Sequence, residues 1–257
     1  MLILSRPVRI LVLFLLIFFW VPCSFQGSRE LKRITANCQA LAQETEEEEP
    51  FATELQRVRD PFEPVNRAMF TFNDRLYFWV IKPTATLYKK ALPQGLRVGI
   101  RNMFHNFKAP IRIVNNLLQG KLKGCFIEVS RLVINSTLGI GGFFDPANDE
   151  FHIREHSEDF GQTLGVWGFK PCIYFVWPIL GPSTLRDSVG IAGDLFLDPV
   201  FYLPVNLYTS AAIKGADKLN DASLRLGEYE NFKTSALDPY VALRNAYIQY
   251  RQKEIRK

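Results

Sequence analysis

The chain has 257 residues, of which 47% are hydrophobic and 22% charged, and a formal net charge of +5. These proportions belong to a packed protein and exclude a disordered, collagen-like or low-complexity chain. The charge is too small, without a basic cluster, to indicate nucleic-acid binding. The unusual entry is aromatic: 21 Phe, 9 Tyr and 4 Trp predict a greasy surface in addition to a core.

The N-terminus reads as an export signal. Arg6 and Arg9 precede an apolar run from Ile10 to Val21, which Pro22, Cys23 and Ser24 break. The run falls short of the roughly 20 residues that a membrane-spanning helix needs, and an uncleaved anchor is the alternative. Cys23 sits where a bacterial lipoprotein carries its lipidated cysteine, although Trp20-Val21-Pro22 precedes it where small residues are expected. Lipidation of Cys23 would suit a protein held at a membrane surface. The other cysteines, Cys38, Cys125 and Cys172, have no CxxC spacing and indicate neither a zinc site nor a thioredoxin-type motif. The expected organisation is an export signal over 1–23, an acidic flexible linker over 24–56, a helical domain over 57–230 and a C-terminal helix over 231–257.

The folded region reads as helical with frequent interruptions. Glu63-Pro64 opens a helix whose Val65, Met69, Phe72, Leu76 and Trp79 share one face. Leu96, Ile100, Met103, Phe104 and Phe107 repeat the pattern up to Pro110, which must kink or restart the helix. Ile111, Val114 and Leu118 carry the face onward, and Arg97, Arg101, His105, Arg112 and Asn115 lie against it. A third segment carries Leu122, Cys125, Phe126, Val129, Leu132 and Val133 and stops at the glycines from Gly139. Cys125 on this face reads as a small core residue.

The segment from Tyr174 to Leu180 is apolar but punctuated by proline, and reads as a buried loop or a re-entrant or interfacial segment. Ser183 is the expected cap of a helix bearing Leu185, Val189, Ala192 and Phe196. Asp198-Pro199 and Asp238-Pro239 are cap-and-start pairs, the second opening a last helix that ends in Arg251, Lys253, Arg256 and Lys257, which suits its dipole. No long alternating strand pattern competes, so the predicted fold is all-α.

Signs of catalysis are weak. His152 and His156, with Glu155, Glu158 and Asp159 nearby, could make a metal pair on a helix. No third ligand is spaced convincingly and Gly161 closes the segment, so the favoured reading is a polar loop and a helix start. Gly139-Ile140-Gly141-Gly142 lacks a preceding strand and reads as a turn; there is no GxSxG and no phosphate loop. No catalytic residue, metal ligand or cofactor is predicted, and the expected function is not enzymatic.

A family resemblance rests on a set of ordered blocks. Asp60-Pro61-Phe62-Glu63-Pro64-Val65-Asn66-Arg67, Asn115-Asn116-Leu117-Leu118-Gln119-Gly120-Lys121 and the run from Arg131 to Asp145 are three of them. Glu158-Asp159-Phe160-Gly161-Gln162-Thr163-Leu164-Gly165 with Trp167-Gly168 is the most specific, followed by the run from Pro178 to Asp187 and by Asp198-Pro199. Together they resemble the MlaA/VacJ family of outer-membrane lipid-asymmetry lipoproteins. The resemblance implies a ring of amphipathic, proline-interrupted helices lying in one membrane leaflet, in the outer membrane of a Gram-negative bacterium and facing the periplasm. It implies removal of mislocalised phospholipid from the outer leaflet through a polar channel. The lipid would pass to a periplasmic lipid carrier and, indirectly, to an inner-membrane ABC-type transporter, with a trimeric porin as a further partner.

A polar groove lowers the barrier for moving a charged head group through hydrocarbon. The candidate lipid-channel or ring-closing residues are Asn66, Arg67, Asn73, Asn115, Asn116, Arg131, Asn135, Asp159, Gln162, Arg186 and Asp187. Helix capping and buried ion pairing are the competing roles for each. The alternative function is a structural outer-membrane lipoprotein or porin-binding module with no transport activity of its own.

Overall fold

Proline placement sets most of the helix boundaries in the computed structural model, which describes Val58 and residues 60–257. The export signal, the acidic linker and Cys23 lie outside the described residues. Helix α1 (Glu63–Leu76) and α2 (Lys82–Ala91) each carry a proline in the first turn and are joined by a π-helical turn at Tyr77–Ile81. Pro83 has no N–H to give to the preceding turn, and the ladder loosens ahead of it, with Lys82 N–H reaching the carbonyl of Tyr77. Next come α3 (Gln94–Phe107), α4 (Ala109–Leu118) and α5 (Leu122–Thr137). Pro110 restarts the helix as expected, in the first turn of α4. Two short helices follow, α6 (Pro146–Asp149) and α7 (Phe160–Val166).

The middle segment departs from the sequence expectation. Tyr174–Trp177 forms strand β1, paired antiparallel with β2 (Gly181–Thr184), Tyr174 opposite Thr184 and Trp177 opposite Gly181. Four-residue strands are too short to show alternation in the sequence. The turn is set by Pro178 and by positive φ at Ile179 (69°) and Gly181 (85°). Because Ser183 is used in β2, the cap of the next helix passes to Thr184, which accepts from Asp187 N–H. That helix is α8 (Leu185–Leu197), followed by a 3-10 turn at Pro199–Tyr202, α9 (Leu207–Leu224), α10 (Glu228–Ser235) and α11 (Pro239–Arg256). Asp198 and Asp238 cap as their Asp-Pro sequences predict. Gly161 does not close a segment: it lies inside α7, and residues 152–159 around the two histidines are irregular.

The helical period read from the sequence is right, but the apolar faces turn outward. In α5 the buried positions are Gly124, Glu128, Arg131 and Asn135, spaced four, three and four apart. Phe126, at 71% exposure, and Val133, at 55%, stand on the outside of the same helix. In α4 the buried set includes Arg112, Asn115 and Asn116, and in α1 it is Asn66, while Val65, Phe72 and the following Trp79 are exposed. Cys125 is half-buried and free. Among the described residues, buried polar and charged side chains outnumber buried hydrophobic ones about two to one, the inverse of the usual partition. The apolar core cluster among the described residues is small: Tyr174, Val176 and Tyr240, with Met69, Phe70 and Tyr247 against it.

The first and last of these helices are tied together. Arg67 bridges Glu63 and, at 2.8 Å, Asp238, and its guanidinium lies 4.6 Å from the centre of the Tyr240 ring. Asp60 receives Asn66 at 2.7 Å, the Tyr240 hydroxyl, and Arg244 at 3.3 Å. Asn66 and Asn73, two turns apart on α1, act as a surrogate strand for the hairpin. The Asn66 amide donates to Tyr174 O (3.1 Å) and accepts from Val176 N (3.0 Å). Asn73 donates to Trp177 O (2.9 Å) and accepts from Ile179 N (2.7 Å). Replacing Asn66 by Leu keeps the volume but orphans a buried carbonyl and a buried N–H. The expected loss is about 3 kcal/mol, read as a lowered Tm in detergent solution, whereas Phe126→Ser is expected to leave Tm within a degree or two.

Candidate functional site

The polar interior is organised as three linked clusters, each built on helix faces that the hydrophobic pattern leaves over. In the first, Arg112 of α4 pairs with Glu128 of α5 at 2.6 Å, and Glu128, fully buried, also accepts from His156 N at 2.7 Å. Asn116 donates to the carbonyls of Arg112 and His156, both at 2.9 Å. Lys121 and Gln119 both reach Glu158, at 2.7 and 2.9 Å. These bonds fasten the irregular 152–159 stretch to the helices. Glu155 completes the fastening by pairing with His105 Nε2 at 2.7 Å. His156 belongs to that fastening through its main chain, and no metal-binding group of three or more ligands occurs among the described residues.

In the second cluster Asp145 receives Arg131 and Asn135, each at 2.8 Å, and Asn135 accepts from Ala147 N at 3.0 Å. Arg131 also donates to Ile153 O. One carboxylate thereby caps α6 and anchors two turns of α5.

The third cluster sits between α7, α8 and α11. Arg251 forks between Asp159, at 2.6 and 2.9 Å, and Asp187, at 2.9 Å. Asp187 also receives Arg186 Nε and Nη2 (3.0 and 2.9 Å), Thr184 Oγ1 (2.9 Å) and the Tyr247 hydroxyl (2.8 Å). Burial works to raise the Asp187 carboxyl, but the Arg251 and Arg186 guanidinium groups outweigh it and hold it below the usual carboxylate range. Arg251 was expected to complement the helix dipole; it instead supplies the central cation of this cluster. Gly161 makes the cluster possible, because a Cβ there would lie 2.6 Å from Arg251 Nη2 and 2.8 Å from Asp187 Oδ1.

Asn115 connects the clusters, donating to Asp194 Oδ1 (3.0 Å) and accepting from Thr163 (2.8 Å). Asp194 also accepts from Phe160 N at 3.1 Å. Burial, followed by the negative charge of Asp159, pushes the Asp194 carboxyl up to about 7, against the opposing pull of Asn115 and Phe160 N–H.

The structure therefore brings Asp159, Arg186 and Asp187 together, joins Arg131 to Asn135, and places Asn66, Arg67 and Asn73 at the hairpin and the junction of α1 with α11. Asn115 and Asn116 stand in α4 between the first and third clusters. Gln162, in α7, donates to Asp159 at 3.2 Å. Three of the eleven candidates carry a buried polar atom with no protein partner: Asn116 Oδ1, Arg131 Nε and Gln162 Oε1. The sequence reading missed Glu128, Asp145, Asp194, Tyr247 and Arg251 as partners. Glu128 carried a signal, since it is the lone acidic residue in the apolar stretch 122–137.

These features define a class: a helical protein with a charged, hydrogen-bonded interior and an apolar exterior. The MlaA lipoprotein family model matches residues 58–254, and the chain belongs to this family. It is 32% identical over 205 residues to the intermembrane phospholipid transport system lipoprotein MlaA of Escherichia coli (strain K12), covering 77% of this chain and 78% of that one. The protein of the same name from Haemophilus influenzae is 30% identical over 195 residues, covering 74% and 76%. An uncharacterized protein of Rickettsia felis is 31% identical over 199 residues, covering 77% and 78%. A solved structure reported as a structural basis for maintenance of bacterial outer membrane lipid asymmetry superposes with a TM-score of 0.68 at 29% identity, covering 77% of this chain and 99% of that one.

Two predictions follow from the third cluster. Gly161→Ala is expected to cost several kcal/mol, because the Cβ must displace a buried ion pair, and to lower both Tm and the steady-state protein level. Asp194 binds its proton more tightly folded than unfolded. Its contribution to stability is therefore present below about pH 4 and declines as pH rises toward 7. Asp194→Asn is expected to flatten the wild-type fall in Tm between pH 4.5 and 7.5, measured over a buffer series.

Proposed function

We propose that the protein is the outer-membrane component of a phospholipid transport system, taking mislocalised phospholipid from the outer leaflet through a polar channel and passing it to a periplasmic carrier. The observation that carries this reading is the inverted partition of α4 and α5: ionised and amide side chains inside, Phe126, Val129 and Val133 outside. Apolar side chains arrayed outward match hydrocarbon, and a hydrogen-bonded interior offers a head group partners that hydrocarbon lacks. No helix of the described residues is long and apolar enough to cross a membrane. The short helices with outward apolar faces fit a ring lying in the inner leaflet, facing the periplasm, with Cys23 as the lipidated anchor. The names of the Escherichia coli and Haemophilus influenzae relatives, lipoproteins of an intermembrane phospholipid transport system, support a part in phospholipid transport.

In this reading the clustered polar residues divide by role. Asn66, Arg67 and Asn73 close the ring, while Asn115, Asn135, Asp159, Arg186 and Asp187 hold the wall of the channel. Asn116, Arg131 and Gln162, with hydrogen-bonding capacity left over, meet the lipid head group. The protein performs no bond-breaking chemistry. Energy comes from partners, with an ABC-type transporter at the inner membrane as the indirect source, and a trimeric porin holds the protein in place.

The test is complementation of a gene deletion. Outer-leaflet phospholipid is expected to accumulate in the deletion strain, to return to baseline with the wild-type chain, and to stay several-fold raised with Gln162→Met at normal protein level. Full clearance by Gln162→Met would assign Gln162 to structure. No accumulation on deletion would leave the protein a structural lipoprotein or porin-binding module, and fatty acid released by the purified protein would make it a hydrolase.

A further inference from the structure

A cleft of about 510 Å3 lies between α3, α5, the 3-10 turn and α9. Its volume falls in the range of ligand sites, roughly 300–1,000 Å3. The wall is apolar, formed by Phe104, Phe107, Leu132, Val200, Leu203 and Ile213 among others. Among the described residues of its wall, Asn106 and Ser136 are the polar side chains, and they lie together, the Asn106 amide donating to Ser136 Oγ at 3.0 Å. None of the eleven channel candidates lines it.

We propose that this cleft holds a single fatty-acyl chain of a phospholipid, with the acyl ester at Ser136. The assignment rests on the transport reading and names where the lipid tail goes.

Three observations carry it. First, the lining supplies no charge and one localised hydrogen-bonding pair, which suits a long apolar group ending in one acceptor. Having accepted the Asn106 bond, the Ser136 hydroxyl keeps a proton to give to an ester carbonyl. A charged head group finds no counter-charge on this wall and stays outside it.

Second, the walls are fixed rather than collapsed. The 3-10 turn is capped by Asp198, which pairs with Lys214 of α9 at 2.7 Å, and Asp217 of α9 is held by Lys108 at the α3–α4 junction. Gly142 (φ 91°) lets Asn106 come in, since a Cβ there would lie 2.5 Å from the Asn106 side chain.

Third, the rim is continuous with the apolar exterior. Met103 and Phe107 of α3 are 44% and 41% exposed, and Leu203 is 38% exposed. A chain can enter the cleft from hydrocarbon without crossing a polar surface.

The experiment uses the full chain in nanodiscs of phosphatidylethanolamine and phosphatidylglycerol, doped with phosphatidylethanolamine carrying a diazirine in one acyl chain. Photolabelling is expected to concentrate on Phe104, Leu132 and Ile213. Leu132→Trp and Ile213→Trp fill the cleft and should lower labelling at the remaining cleft positions about tenfold, while Val133→Trp, on the outer face of α5, should not. Ser136→Ala should lower it by about fivefold, the value of one hydrogen bond. Labelling spread evenly over Phe126, Val133 and the cleft, or unchanged in both filled variants, overturns the assignment. Stronger labelling by a free diazirine fatty acid than by the phospholipid overturns the ester's part in it. Clearance of outer-leaflet phospholipid in complemented cells separates the two readings. Cleft labelling by a protein that clears nothing overturns the transport reading and leaves the cleft assignment standing, whereas clearance with even labelling overturns the cleft assignment alone.

Discussion

Arg251 reaches from the last helix to two carboxylates on two other helices, and the arrangement of the interior depends on that fork. Asp159 caps α7 and Asp187 lies in the first turn of α8, so each carboxylate already serves its own helix terminus before the arginine joins them. A lone carboxylate buried at either site would be strongly disfavoured. Two of them share one planar fork, and Arg186, Thr184 and Tyr247 fill further acceptor positions on Asp187, while Arg251 Nε is buried without a hydrogen-bond partner. The same logic recurs at Glu128, which bonds a helix and an irregular segment at once, and at Asp145, which caps α6 while holding two residues of α5.

Such an interior changes what holds the fold together. In an ordinary domain, apolar burial supplies the non-specific drive and polar groups refine it. Here the described apolar core is little more than the Tyr174–Val176–Tyr240 cluster, and hydrogen bonds of defined geometry carry specificity instead. An environment that solvates the outward Phe, Val and Trp side chains is then part of the folded state. In a low-dielectric setting the internal ion pairs and amide bonds also gain strength, since water competes for them less.

How much of this was legible depends on the kind of signal. Helix starts were, because Asp-Pro and Glu-Pro pairs, and a proline such as Pro110 in the first turn, act locally: Pro64, Pro110, Pro199 and Pro239 all open the elements they predict. The period of the helices was also legible, in the spacing of Val65, Phe72 and Trp79. Which side of that period faces inward was not, because periodicity has no sign: 124, 128, 131 and 135 form as regular a stripe as the apolar one beside it. The hairpin escaped because its strands are four residues long and its edge is completed by Asn66 and Asn73 from more than a hundred residues earlier. Partners such as Arg251 and Asp194 escaped for the same reason, as their roles exist only once distant helices meet. Of the ordered blocks that resemble the MlaA/VacJ family, the Glu158–Gly165 block falls at the third cluster.

Gly161 does more than make room for an arginine. Across from it, Gly190 of α8 comes so near that a Cβ would lie 2.5 Å from Gly161 N and 2.6 Å from Gly161 Cα. Two helices that touch main chain to main chain have no side-chain layer between them to shear, so α7 and α8 behave as one lever rather than as two sliding rods. Motion of this pair is expressed at the ends of that lever. One end is the irregular 152–159 stretch with its ionic fastenings and the other is the 3-10 turn, while the crossing itself is the fulcrum.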